Sequence, residues 1–175
     1  MTPKIKNFIF IGDGRQSNQT NDWLIRQELK KNYPEVNYRF LSPQQLSANE
    51  LLDTLYTIDP QTTGILFSSW IYKRSFAGNT SLVTNFHQLI ATAPVPLFTI
   101  GMVTVKDTAG GMLGGYVFDQ DQYNRNVVNY LSLVLSGSKA SDIPFYLPAD
   151  GAPVLNYSVL LRKGLSLDLC PAGTV

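Results

Sequence analysis

The residues of this chain that could do chemistry sit where short apolar runs end. Asn7 to Ile11 (NFIFI) runs into Gly12-Asp13-Gly14-Arg15-Gln16. Thr63 to Phe67 (TGILF) runs into Ser68-Ser69-Trp70-Ile71-Tyr72. Pro96 to Ile100 (PLFTI) runs into Gly101-Met102, and Tyr116-Val117-Phe118 runs into Asp119. Such runs read as buried strands, and ligands of open parallel sheets bind beyond the carboxyl ends of the strands. A guanidinium, carboxylates, amides, hydroxyls and aromatic faces together suit a small polar ligand, sugar-like or amino-acid-like, held by stacking and hydrogen bonds. The candidate ligand-binding residues are Asp13, Arg15, Gln16, Ser69, Trp70, Tyr72, Met102, Tyr116 and Asp119. Trp70 would stack on the ligand, Arg15 would pair with an acidic group, and Ser69 and Gln16 would hydrogen bond. The plainer alternative for Trp70 and Tyr72 is packing on the sheet rim.

Other chemistries lack a part. A dinucleotide loop at Gly12-Asp13-Gly14-Arg15 needs a third glycine where Ser17 stands, and an acidic residue where Leu41 and Ser42 stand. No Gly-Lys-Ser/Thr marks a phosphate loop. A phosphoacceptor receiver needs an acidic cluster after the first strand and an Asp closing the third, and Ser68 stands there. A hydrolase elbow at Ser68 or Ser69 has no Gly-x-Ser-x-Gly. His87, the one histidine, lies beside Phe86 on a helix and reads as a partly exposed helix residue. Cys170 precedes Pro171 and reads as a small apolar side chain. A small hydrolase or transferase using Ser69 or Asp13 is disfavoured because neither has a paired base. The chain reads as non-catalytic, with no cofactor and no metal site. Asn18-Gln19-Thr20, Asn79-Thr80-Ser81 and Asn156-Tyr157-Ser158 match the glycosylation sequon, a pattern common by chance in an Asn-rich chain.

Strands and helices must alternate to bring these strand ends together. Ile25, Leu29 and Tyr33 recur every four residues, predicting a helix that Pro34 ends. Val36 to Leu41 alternates as a second strand. Ser47-Ala48-Asn49-Glu50 is a capping box, flanked by Leu46 and Leu51 as a staple, and it opens a helix buried through Leu51, Leu52, Leu55 and Tyr56. Leu82, Val83, Phe86, Leu89 and Ile90 predict a further helix before Pro94. Tyr123, Val127, Tyr130, Leu131 and Val134 predict a long one closed by Gly137. A strand-like piece is expected at Ile143 to Leu147, and a short helix from Ser158 to Lys163, ending at Gly164. This order predicts an α/β fold, three layers α/β/α around a mostly parallel sheet.

Composition closes off other classes. The 175 residues suffice for one domain with a real core. Fourteen basic against thirteen acidic residues give a net charge of +1, without the basic excess of a nucleic-acid surface or a polybasic membrane patch. One cysteine forms no internal disulfide. No apolar run approaches a membrane span, and Met1-Thr2-Pro3-Lys4 lacks a signal peptide's apolar core.

From Pro94 onward a series of local motifs stands out. They are Pro96-Leu97-Phe98, Gly110-Gly111-Met112-Leu113-Gly114-Gly115-Tyr116, Leu133-Val134-Leu135-Ser136-Gly137, Ile143-Pro144, Asn156-Tyr157, Leu160-Leu161-Arg162-Lys163-Gly164-Leu165 and Cys170-Pro171-Ala172-Gly173-Thr174. The series resembles the periplasmic-binding-protein-like family of ABC-transporter substrate-binding components, in the form fused to Bacteroides-type hybrid two-component sensor histidine kinases. The resemblance implies a type I, Rossmann- or flavodoxin-like lobe in an extracytoplasmic ligand-binding region of an inner-membrane protein. It implies that the chain corresponds to the second half of a two-lobed domain. Residues 1–118 would form an α/β lobe, and 119–175 would hold a crossover helix and the C-terminal segment. It implies as partners a small-molecule ligand, a first lobe, and downstream transmembrane and kinase parts. Without the first lobe, the Tyr123 to Leu135 helix must fold back onto the sheet or pair with another chain, as in a homodimer. A free substrate-binding component of an ABC importer is the alternative implied by the same resemblance.

Overall fold

The computed structural model describes residues 5–70, 90, 92–100, 105, 112–143, 151–170 and 174. Among these, the strands are β1 (Asn7–Ile11), β2 (Asn37–Leu41), β3 (Thr63–Phe67), β4 (Leu97–Thr99), β5 (Gly114–Phe118) and β6 (Gly151–Leu155). The helices are α1 (Gln16–Asn32), α2 (Ala48–Thr57), α3 (Gln120–Leu135) and α4 (Tyr157–Arg162). Two short 3-10 turns follow α3 and α4, at Ala140–Asp142 and Leu167–Leu169.

The strands form one six-stranded sheet in the order β2-β1-β3-β4-β5-β6. Five run parallel, and β6 is antiparallel to β5. The chain leaves β1 to one side for β2 and returns past it to β3. The sheet therefore reverses direction between β1 and β3, the point where open α/β sheets form a crevice beyond their strand ends.

Period-two alternation divides the side chains between the two faces. Ile9, Ile11, Leu41, Ile65, Phe67 and Leu97 point to one face, where Leu51 and Leu55 of α2 join them with Trp70, Ile90, Ala93, Val95 and Met112 in a buried core. The predicted capping box is present: Ser47 Oγ accepts from the Glu50 N–H, and Glu50 accepts from the Ser47 N–H at 2.7 Å. On the other face Phe10 stacks with Phe40. A smaller cluster of Leu113, Val159 and Leu160 sits under α4. Asn156 positions that helix from a buried site: its Oδ1 accepts from the Val159 N–H, and its Nδ2 donates to the Val105 carbonyl at 2.6 Å.

The strand-like piece expected at Ile143 to Leu147 lies outside the described residues except for Ile143, which sits in a bend; a further strand, not expected from the sequence, runs over Gly151–Leu155. Its Gly-Ala-Pro start looks like a turn. As the antiparallel edge of the sheet it tolerates Pro153, which has no N–H to donate to a neighbour. The helix expected over Leu82 to Ile90 lies outside the described residues except for Ile90, which is helical and buried.

The apolar stripe of α1 is shallower than the spacing predicts. Ile25 and Leu29 are only half-buried, Tyr33 is exposed at the C-cap, and the one fully buried side chain is Asn18. Helix α3 has no buried residue among those described; Val128, Leu131, Val134 and Leu135 are exposed, the last at 86%.

Candidate functional site

The carboxyl ends of β1 and β3 are joined by one polar network. Asp13, just past β1, is 1% exposed. Its Oδ1 accepts from the Arg15 backbone N–H at 3.0 Å, from Arg15 Nε at 2.9 Å and from Asn18 Nδ2 at 2.8 Å. Its Oδ2 accepts from Arg15 Nε at 2.9 Å and from Ser69 Oγ, beyond β3, at 2.7 Å. Asn18 Nδ2 also donates to Ser69 Oγ at 2.7 Å, and Asn18 Oδ1 accepts from Ser68 Oγ at 2.6 Å.

A buried carboxylate is costly unless paired and hydrogen bonded. Burial alone would raise the Asp13 pKa. The bonds from Arg15, Ser69 and Asn18 outweigh it and hold the group below its ordinary value. The arrangement is local in origin. Gly12-Asp13-Gly14 turns the chain out of β1, Arg15 is the N-cap of α1, and the first turn of α1 carries Asn18 back over the strand end. A Cβ at Gly12 would stand 3.3 Å from Asn18 Cβ and 3.1 Å from the Phe40 ring, so glycine leaves room for that approach.

The candidate residues occupy distinct places around this network. Arg15 is anchored through Nε, with 56% of its side chain exposed, so the guanidinium stands at the rim. Gln16 is exposed at the first position of α1. Asp13 and Ser69 lie inside the network. Trp70 is 3% exposed and packs in the core beneath the strand ends. Asp119 is exposed at the end of β5 and caps α3, accepting from the Asp121 N–H at 2.9 Å and the Gln122 N–H at 3.0 Å. Tyr116 lies mid-strand, 71% exposed, with its ring over Gly151 of β6, which pairs with Phe118 at the carboxyl end of β5. Tyr72 and Met102 lie outside the described residues. Phe118 ends β5 and Ile100 follows β4, both as exposed apolar groups. The sequence reading missed Asn18, which ties the rim together. The sequence marks only its position: Gly12 directly follows the strand's last apolar residue, and the amide stands in the first turn of the following helix.

An open groove of about 290 Å³ lies elsewhere, between the C-terminal half of α1 and β2, lined by Arg26, Leu29, Lys30, Tyr33, Pro34, Val36 and Tyr38. Tyr38 donates to Asp22 at 2.6 Å, and Arg26 lies over its ring. Burial, then Asp22, push the Tyr38 hydroxyl pKa up.

No family model and no curated protein matches the chain. Solved structures do match it in fold. One is a substrate binding protein with adhesive properties from Clostridium difficile in its ligand-free, open form, with a TM-score of 0.67 and 14% identity; the match covers 99% of this chain and 55% of that one. Another is an ABC domain from Streptococcus pneumonia in complex with L-Trp, with a TM-score of 0.65 and 17% identity, covering 95% of this chain and 54% of that one. A conserved domain protein from Vibrio cholerae matches at a TM-score of 0.62 and 12% identity, covering 94% of this chain and 51% of that one. The chain thus has the three-layer α/β, type I periplasmic-binding-protein-like fold, and it spans about half the length of these neighbours. No described helix is long and apolar enough to cross a membrane.

Proposed function

We propose that this chain is a non-catalytic, small-molecule-binding α/β lobe, the extracytoplasmic input region of a hybrid two-component histidine kinase. The observation that carries the ligand reading is the strand-end network, which holds Arg15 at the rim of the β1/β3 switch point with its Nε fixed on Asp13. In this reading Arg15 pairs with an acidic group of the ligand and Gln16 hydrogen bonds to it. Asp13 and Ser69 support the rim, Trp70 is its apolar floor, and Asp119 stands at its far side. Tyr72, Met102 and Tyr116 are assigned to the same ligand face.

Two facts favour a second lobe as partner. The chain spans about half the length of its structural neighbours, and α3 leaves an apolar stripe uncovered. Residues 1–118 are then the body of the lobe, and 119–175 carry the crossover to the other lobe and the return. Closure of the two lobes on the ligand shifts the linked kinase if the closed form binds the ligand better than the open one. The kinase context rests on the motifs from Pro96 to Thr174.

A second reading, a substrate-binding component of an ABC importer, is favoured by two structural neighbours, one a substrate binding protein and the other an ABC domain. The amino-acid-like ligand class has support in the L-Trp bound to one of them. Membrane vesicles carrying the parent protein separate the two readings. Ligand-dependent autophosphorylation supports the sensor. Ligand-dependent transport without phosphorylation supports the importer component.

A further inference from the structure

We propose that Asn18 is a positioning residue, setting the orientation of Arg15 through Asp13 and locking the two strand ends that form the rim. The proposal rests on the reading of that rim as the ligand face. Asn18 is 2% exposed, although it stands in the first turn of an otherwise exposed helix start. A side-chain amide offers donors at one end and an acceptor at the other. Both ends are used here: Nδ2 on Asp13 and Ser69, Oδ1 on Ser68. Three segments, the β1 exit, the α1 first turn and the β3 exit, therefore meet on one amide. An aspartate could accept from the hydroxyls but not donate to Asp13 while ionised, and a leucine could do neither.

The consequence reaches Arg15 through geometry. The one Arg15 Nε–H proton is shared between both Asp13 oxygens, so the position of that carboxylate sets the direction in which the Nε–H points. One Asp13 oxygen is held by Asn18 and the other by Ser69, which Asn18 also holds. Asn18 reaches the rim only through these partners. Among the described residues, the charged groups bonded within the network are Asp13 and Arg15.

The test is the exchange rate of the Arg15 Nε–H proton, measured by NMR in the full chain relative to free arginine at the same pH. A charge-assisted bond held in place predicts exchange slowed about tenfold or more in the wild type. Asn18→Leu should lose that protection. Asn18→Asp should lose it at pH 7, where two adjacent carboxylates repel. It should regain protection as the pH falls and a proton on the new carboxyl restores a donor toward Asp13. In that variant Asp13 keeps the bonds from Arg15 and Ser69, which favour its ionised form and leave the shared proton on the new carboxyl. This acid rescue is not expected of general loosening.

Equal protection in wild type and folded Asn18→Asp at pH 7, or a loss that acid does not reverse, would overturn the proposal. Should both variants fail to fold, the wild type still decides. Slow exchange of the Asn18 Nδ2 protons together with Arg15 Nε–H supports the lock, and free exchange of either overturns it. L-tryptophan added to the wild type as a probe tests the ligand reading alone. Shifts at the rim support that reading and their absence counts against it, while the Arg15 result stands on its own.

Discussion

Replacing Asp13 with alanine removes the acceptor of four donor groups: the Arg15 backbone N–H, Arg15 Nε, Asn18 Nδ2 and Ser69 Oγ. Their losses differ. The Arg15 side chain is half exposed and can turn to water, so its charge is resolvated at little cost. Asn18 and Ser69 are buried and cannot. A hydrogen bond to a charged group contributes about 1.5–3 kcal/mol, and a stranded buried donor costs about as much. Two such donors set the loss at roughly 3–6 kcal/mol, and a water entering the space left by the carboxylate recovers part of it, giving about 3 kcal/mol. For a chain of this length that is roughly a 6–12 °C fall in Tm. Urea unfolding followed by circular dichroism measures it, with a midpoint about 1.5 M lower if m is about 2 kcal/mol/M. A loss below about 1 kcal/mol, the size of an ordinary surface change, would refute the reasoning, since it would mean the network is solvated.

Three further outcomes follow from the same structure. The Asp13 pKa is depressed on folding from its ordinary value of 3.8, so its contribution to stability is present above that pH and lost as the pH falls through the folded value. Urea unfolding of wild type and Asp13→Asn should therefore show a gap that is constant above about pH 5 and narrows in acid; a gap that widens in acid contradicts the sign. Gly115→Ala places a Cβ against the backbone carbonyl of Thr99, which cannot move without parting β5 from β4. It should cost more than about 3 kcal/mol in denaturation, and a loss within 1 kcal/mol would show that β5 packs otherwise. Leu135→Ser on α3 should leave the stability of the monomeric chain within about 0.5 kcal/mol, because the side chain has nothing to lose. A fall of 2 kcal/mol would show that α3 is covered.

The elements that carried local signals were legible. The capping box at Ser47 fixes its own geometry within four residues, so α2 needed no tertiary information. The continuous apolar runs of β1 and β3 announce strands buried on both faces, and their order along the chain implies a parallel sheet. Strand β6 was illegible because its Gly-Ala-Pro start has the composition of a turn. Only the neighbouring β5, with Tyr116 lying over Gly151, makes it an edge strand.

The site divides in the same way. Positions beyond strand ends could be read from the runs themselves, which is how Asp13, Arg15 and Ser69 were found. Burial of Asn18 could not be read, because Ser17-Asn18-Gln19-Thr20 has the polarity of a solvated helix face. What buries it is the meeting of β1 and β3, which are more than fifty residues apart in sequence. Trp70 was legible as an aromatic at a strand end, but its burial in the core that also holds Ile11, Phe67 and Leu97 is a matter of tertiary packing.

The central claim is that the carboxyl ends of the strands form the ligand face. The most direct measurement is an amide chemical-shift map of the chain against a panel of amino acids including L-tryptophan, sugars and nucleosides. The account predicts that at least one class shifts residues 13–18, 68–70 and 118–119 together, and that Arg15→Ala abolishes the shifts while leaving the fold intact. Shifts confined to the groove between α1 and β2, or no shifts from any class, would contradict it.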